Sequence, residues 1–311
     1  MAKSYDLEVD GHPNIYNNYS PRKFKVYFSE PEGGVNSNTG ILLFIAGFGG
    51  HANSNVYKKM RKKFADEYNL VTVQCDYFGF EFMQEEPLSE SLTNFNDMGI
   101  MQALDNLTSL IIIEEIIKSN GYLYDKNKII IYGHSHGSYL SYLCNYFAPQ
   151  YIDLIIDNSA WVFPVYLKSN RLLKNNGKVQ VFEYIAKTFL TDTSINNLLF
   201  LYRNFQNNAV IHSFHGEQDQ LISLTNKRKL CLPMKRCFLH EITQTDVDEE
   251  MIFSSGHGLE ADFLKLFDHV WKKHNFRMVH KKKKLQTRSI KTPDHRYKIV
   301  YDNVLPVFKR Y

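Results

Sequence analysis

The residues best placed to do chemistry in this 311-residue chain centre on one motif, Gly133-His134-Ser135-His136-Gly137. It lies between KIIIYG, an apolar run that reads as a strand, and SYLSYLCNYFAP, which reads as a helix ended by Pro149. At such a strand-to-helix junction the chain turns sharply and holds the serine in a strained conformation, while glycines two residues to either side let strand and helix pass closely. A serine hydroxyl is a poor nucleophile at neutral pH until an imidazole takes its proton, and a carboxylate must hold that imidazole in the right tautomer. His257, in Ser255-Gly256-His257-Gly258-Leu259, is the expected imidazole, in a loop after the last expected strand and before a C-terminal helix. Asp219, in HGEQDQLIS, is the expected acid, in the loop leaving the apolar strand AVIHSF. Glu217 shares that loop, and Asp157, at the end of the preceding strand, is the main rival.

Attack on a carbonyl creates an oxyanion that needs backbone donors. The amide of His136, next after the serine, is one expected donor. The amide of Phe48, in Ala46-Gly47-Phe48-Gly49-Gly50-His51 after the run ILLFIA, is the other, with Gly47 and Gly49 letting main chain face a substrate. Tyr77, His134 and Trp161 are candidate pocket residues, and Asp76, Phe78, Gly79, Phe163 and Tyr166 lie in the same stretches. The pair His134 and His136 lacks a third ligand at metal-site spacing, so no metal is expected.

These residues need a frame. Residues 22–29 alternate as a strand; ILLFIA, at 41–46, is apolar throughout, as suits a strand buried on both faces of a parallel sheet. Val56, Met60 and Phe64 sit at helical spacing, NLVTVQCDYFG reads as a strand, and residues 96–120 read as a long helix stopping at Asn120-Gly121. IDLIIDNSA, AVIHSFHG and FLHEITQ continue as strands. Alternation of this kind means right-handed crossovers and a mostly parallel sheet. Between about 161 and 208 the rhythm breaks, and the patterns VFEYIAKTFL and INNLLFLYRNF predict a helical cap forming much of the pocket wall.

Composition fits a globular chain: 44% hydrophobic and 14% aromatic, far from that of disordered proteins. Four widely separated cysteines form no Cys-x-x-Cys motif, and no run approaches the length of a membrane span or signal sequence. A cytoplasmic, reducing location is expected. The formal charge is +4, but residues 271–311 hold thirteen Lys/Arg against two acids, so this tail carries +11 and the rest −7. Its lysine run, Lys281–Lys284, is either a solvated linker or a contact for a polyanion such as anionic lipid, nucleic acid or acidic polysaccharide. The final RYKIVYDNVLPVF is strand-like and apolar enough to fold back onto the body.

With AGFGG, GHSHG, HGEQDQL and SGHGL in this order, the chain from about Phe24 to His274 resembles the α/β-hydrolase superfamily. The resemblance implies an eight-stranded, mostly parallel sheet flanked by helices, the chain order serine, acid, histidine, and acyl-enzyme chemistry at Ser135. It divides the chain into a hydrolase domain, 1–274, with the cap as an insertion, and a basic extension, 275–311, foreign to the common fold. Ala46 stands where lipases and esterases often have histidine. YFSEPEGG, GFGGHANSN and QCDYFGFEFM resemble an uncharacterised bacterial branch related to enzymes that acylate or deacylate surface glycans. Two enzymatic readings follow: an esterase acting on a small ester or acylated glycan without cofactor, and an O-acyltransferase passing an acyl group from acetyl-CoA or another donor to a glycan hydroxyl. A third reading is a binding scaffold with a vestigial triad.

Overall fold

The apolar run ILLFIA becomes β3 (Gly40–Ile45), a central strand in which every residue is buried. The computed structural model describes residues 1–175, 178–276, 285–302 and 305–311. Around β3 an eight-stranded sheet assembles from β1 (Lys3–Asp10), β2 (Lys23–Glu30), β4 (Leu70–Cys75), β5 (Ile129–His134), β6 (Leu154–Asn158), β9 (Val210–Gly216) and β10 (Cys237–Ile242). Their order is β1-β2-β4-β3-β5-β6-β9-β10. From β4 to β10 every pairing is parallel, while β1 and β2 join antiparallel at one edge.

Helices cover both faces, which explains the unbroken apolar strands. On one face lie α1 (Asn55–Tyr68) and α7 (Phe263–Lys273), with Phe64 and Phe267 buried at 4.7 Å between ring centroids. On the other lie α2 (Ile100–Ser119), α3 (His136–Phe147) and α6 (Leu224–Cys231). Burying each such large apolar side chain contributes about 1.5–3 kcal/mol.

The structure differs from the sequence expectation in four places. β1 was not expected: its burial alternates only weakly and its residues are mostly exposed, as befits a charged edge strand. α2 begins at Ile100 and not at 96, because the Asp97 carboxylate takes the amides of Gly99 and Met101 and Gly99 turns the chain at φ 142°. α6 was unanticipated.

The fourth difference is the insertion, which is mixed and not simply helical. It contains a hairpin, β7 (Arg171–Asn175) and β8 (Lys178–Phe182), and the short helices α4 (Ala186–Phe189) and α5 (Leu198–Tyr202). Of the helical pattern in VFEYIAKTFL, Val181 and Phe182 end β8, where Val179 and Val181 alternate with polar neighbours, and residues 186–189 form α4.

The extension folds back as expected of its apolar end, into a three-stranded antiparallel sheet of β11 (Arg288–Lys291), β12 (Arg296–Val300) and β13 (Val307–Arg310). The hydroxyls of Thr292 and Tyr297 donate to Asp192 of the insertion at 2.5 and 2.9 Å. The Tyr301 hydroxyl donates to the Phe147 carbonyl at 3.1 Å, and the Phe308 amide to His12 Nε2 at 2.9 Å. The run Lys281–Lys284, the expected polyanion contact, lies outside the described residues.

Candidate active site

Ser135 stands where β5 passes into α3, with φ 53° and ψ −116°, a left-handed conformation that strains a non-glycine residue. Two close approaches explain the flanking glycines. A Cβ on Gly133 would fall 2.5 Å from the Ser138 Cα, and one on Gly137 would fall 2.1 Å from the Ile45 carbonyl oxygen. The Ser135 amide donates to the Asn158 carbonyl at 2.8 Å, tying the turn to the neighbouring strand β6.

Three segments distant in the chain meet at this serine because each follows the carboxyl end of a parallel strand, where ligand sites of open α/β sheets form. Ser135 Oγ lies 2.7 Å from His257 Nε2, and His257 Nδ1 lies 2.7 Å from Asp219 Oδ2. A carboxylate accepts only, so Nδ1 carries the proton and Nε2 accepts from the serine hydroxyl. Asp219 Oδ1 accepts the amides of Leu221 and Ile222 at 2.8 and 3.0 Å, which fixes the carboxylate plane. Burial alone would raise the Asp219 carboxyl, but the bond to His257, its charge and the Ile222 amide outweigh it and hold the group below its ordinary range. Neighbouring His215 donates Nε2–H to the Ile222 carbonyl at 2.9 Å and lies 3.8 Å from Asp219.

The rival acid Asp157 is engaged elsewhere. Its carboxylate accepts from Lys227 Nζ at 2.5 Å, from the Tyr142 and Ser213 hydroxyls at 2.8 Å each, and from the Ala160 amide at 2.7 Å. Glu217 instead accepts the Gln244 amide at 2.9 Å at the surface.

Gly47, Phe48 and Gly49 make a turn closed by the Gly50 amide on the Gly47 carbonyl at 2.9 Å, with Gly49 at φ 77°. A Cβ on Gly47 would lie 3.4 Å from the Ser135 Cβ, so this turn runs directly beside the serine. Among the described residues, the amides of Phe48 and His136 donate to no protein acceptor. The His136 side chain turns into the core, where its Nε2 meets Gln102 Oε1 at 2.7 Å and its ring stands edge-on to Trp161 at 4.9 Å. Burial, helped by the charge of Arg171, pushes this imidazole down to about 3.

His134 goes the other way, its ring packed 5.1 Å from Phe263 of α7 and against Gly47 and Gly258. Burial and nearby His257 push it down to about 4. The two flanking histidines thus face different neighbours. Tyr77 is buried and its hydroxyl donates to the Ala46 carbonyl at 3.4 Å, supporting the turn from beneath. Trp161 is buried, and among the described residues its indole N–H meets no acceptor.

Sequence reasoning did not single out Asn158 and Ser159. The Gly258 amide donates to Ser159 Oγ at 3.0 Å, and Asn158 Nδ2 donates to the Gly258 carbonyl at 3.1 Å. Both peptide groups of the residue after His257 are therefore clamped from the end of β6. The signal available was DNSA, a polar run following a buried strand at the sheet's carboxyl edge.

An eight-stranded, mostly parallel sheet with helices on both faces and a serine elbow after β5 is the α/β-hydrolase fold. Comparison with solved structures agrees. Thermogutta terrifontis esterase 2 phosphonylated by sarin superposes with a TM-score of 0.54 at 16% identity, over 83% of this chain and 92% of that one. Est1E from Butyrivibrio proteoclasticus with ferulic acid bound gives 0.50 at 16% identity, over 81% and 93%. Pyrococcus horikoshii acylaminoacyl peptidase gives 0.59 at 14% identity, over 90% of this chain and 43% of that larger one. A family described as a protein of unknown function (DUF2920) matches residues 85–180. No curated protein matches the sequence.

Proposed function

We propose that this chain is a serine hydrolase of carboxylic esters, working through a covalent acyl-enzyme on Ser135. The observation that carries the reading is the pair of 2.7 Å contacts joining Ser135, His257 and Asp219. Ser135 Oγ attacks the ester carbonyl while His257 Nε2 takes its proton, and Asp219 holds the imidazole and stabilises the imidazolium. The free amides of Phe48 and His136 receive the oxyanion, the second at the positive end of α3. His257 then returns the proton to the departing alkoxide. In deacylation it takes a proton from water, the hydroxide attacks the acyl carbonyl, and as the carboxylic acid departs the imidazolium returns its proton to Ser135 Oγ. No cofactor or metal enters these steps. Among the described residues no helix is long and apolar enough to cross a membrane; the cytoplasmic location remains the expectation drawn from the sequence.

The test is hydrolysis of chromogenic esters together with labelling by a fluorophosphonate, a reagent class related to the agent captured on the Thermogutta esterase. Wild type is expected to turn over ester and to label at Ser135, and Ser135→Ala to do neither. Folded wild type that neither labels nor hydrolyses would favour a binding scaffold. Turnover that depends on an added glycan, with acetyl-CoA or another ester as donor and slow hydrolysis in its absence, would identify the acceptor as a sugar hydroxyl.

A further inference from the structure

The hairpin of the insertion brings a cation, Arg171, beside the candidate site. Arg171, the first residue of β7, is half-buried, and its guanidinium carbon lies 3.9 Å from the centroid of the Phe48 ring. Phe48 belongs to the turn that runs beside Ser135, and its ring is backed on another side by Phe82 at 6.0 Å. Tyr166 lies 5.5 Å from the same guanidinium, and Tyr166 in turn contacts Trp161 at 5.8 Å. The charge of Arg171 also reaches His136, the residue next to the serine, and adds to the depression of its imidazole.

Arg171 has an unusual set of partners for a cation so placed. One N–H donates to the Tyr184 hydroxyl at 3.0 Å. Among the described residues no carboxylate lies within ion-pair distance of it. Stacking on Phe48 occupies a face of the planar guanidinium and leaves its edge, with the remaining N–H donors, for a ligand. In-plane donation from that edge is the geometry with which arginine grips a planar or tetrahedral oxyanion. Stacking also restricts the side chain in advance, so less freedom is lost when an anion binds.

Resting on the hydrolase reading above, we propose that Arg171 is a specificity-determining residue that selects esters carrying a compact oxyanion, a carboxylate in the simplest case, close to the scissile bond. The anion sits on the exposed edge of the guanidinium while the ester carbonyl meets Ser135. Acidic acyl groups and acidic alcohol components, such as a uronic acid, share this chemistry, and two substrate pairs distinguish them. For the acyl side, 4-nitrophenyl hemiadipate is compared with its methyl-capped diester. For the alcohol side, 3-(4-acetoxyphenyl)propanoate is compared with its methyl ester. Each pair differs by one charge and little in leaving group.

Wild type is expected to favour the charged member of one pair by about tenfold or more in kcat/KM, the effect of one charge-assisted contact. Added salt should shrink that ratio. Arg171→Met should bring it to about one, and Arg171→Lys should keep part of it, since the charge stays while the planar fork is lost. Thermal unfolding of each variant checks that it is folded. If Arg171→Met does not fold, the wild-type ratio, its salt dependence and the lysine variant still decide. A wild type that hydrolyses neutral esters without favouring the charged member of either pair overturns the proposal and leaves the hydrolase reading intact. So does a preference that Arg171→Met leaves unchanged. A folded wild type that cleaves none of the four esters and takes up no fluorophosphonate fails at the earlier step, and the hydrolase reading and this selectivity fall together.

Discussion

Lys227 Nζ lies 2.5 Å from Asp157 Oδ2, with both side chains wholly withdrawn from solvent. Burial alone would raise the Asp157 carboxyl, but the Lys227 charge and the Ser213 and Ala160 hydrogen bonds outweigh it and hold it below its ordinary value. Two charges satisfied only by each other and by fixed hydrogen bonds are costly to separate. Replacing Lys227 with Met should therefore remove about 3–5 kcal/mol of stability. Urea unfolding measures this, and the double change Lys227→Met with Asp157→Leu should recover most of the loss. A single variant as stable as wild type would show that Asp157 finds another partner.

The same network separates the two candidate acids. Asp219→Asn keeps the shape of the side chain but presents an amide to His257 and favours the wrong tautomer; kcat should fall by about 10⁴-fold. Asp157→Asn should cost stability first, with kcat at a permissive temperature affected far less. Steady-state ester hydrolysis by both variants checks the ordering, and a reversal would move the acid to Asp157.

Ser159 and Asn158 act through the loop they hold. Loss of the Ser159 hydroxyl frees the Gly258 amide, and displacement of a catalytic group by even 1 Å is expensive. Ser159→Ala should lower kcat by about tenfold with KM within about twofold, since the clamp acts on His257 and not on the bound ester. Asn158→Ala should behave alike, and the two together should fall short of the product of their effects because both grip Gly258. An unchanged kcat in both variants would mean that the His257 loop is held by other contacts.

These relationships explain how far the sequence was legible. β3 and β5 were evident because strands buried on both faces are apolar throughout. The turns that bring Ser135, Asp219 and His257 together were evident because tight turns need glycine and because ligand sites of open α/β sheets form beyond the carboxyl ends of strands. Lys227 was not: a lysine on a short helix reads as solvated, and only the distant Asp157 makes its burial tolerable. β1 was hidden by its exposed, charged residues. In the insertion the hairpin β7–β8 was not anticipated, because strands of five residues are too short for period two and period 3.6 to be told apart. Arg171 carries no motif, and only the ring of Phe48 beneath it sets it apart from other surface cations.

A second histidine group, away from the serine, sets an expected response to acid. On β9 and β10, His212 Nδ1 lies 3.1 Å from His240 Nε2, and His240 stacks on Phe214 at 4.3 Å. Burial first, and then the neighbouring His240, His274, His269 and Lys273, push His212 down to about 4; burial, His269 and Lys273 do the same to His240. An unfolded chain protonates histidine near 6.5. Between about 6.5 and 4, then, unfolding takes up protons that the folded chain refuses, so stability falls as pH drops through that window and is fully present above it. The slope per histidine is at most about 1.4 kcal/mol per pH unit, and less here because both rings are partly open to solvent. Urea midpoints at pH 7, 6 and 5 should decline in wild type and decline less steeply in the double variant His212→Asn with His240→Asn. Parallel declines in the two proteins would assign the acid sensitivity to other groups, with half-buried His134 and buried His136 the next to test by the same comparison.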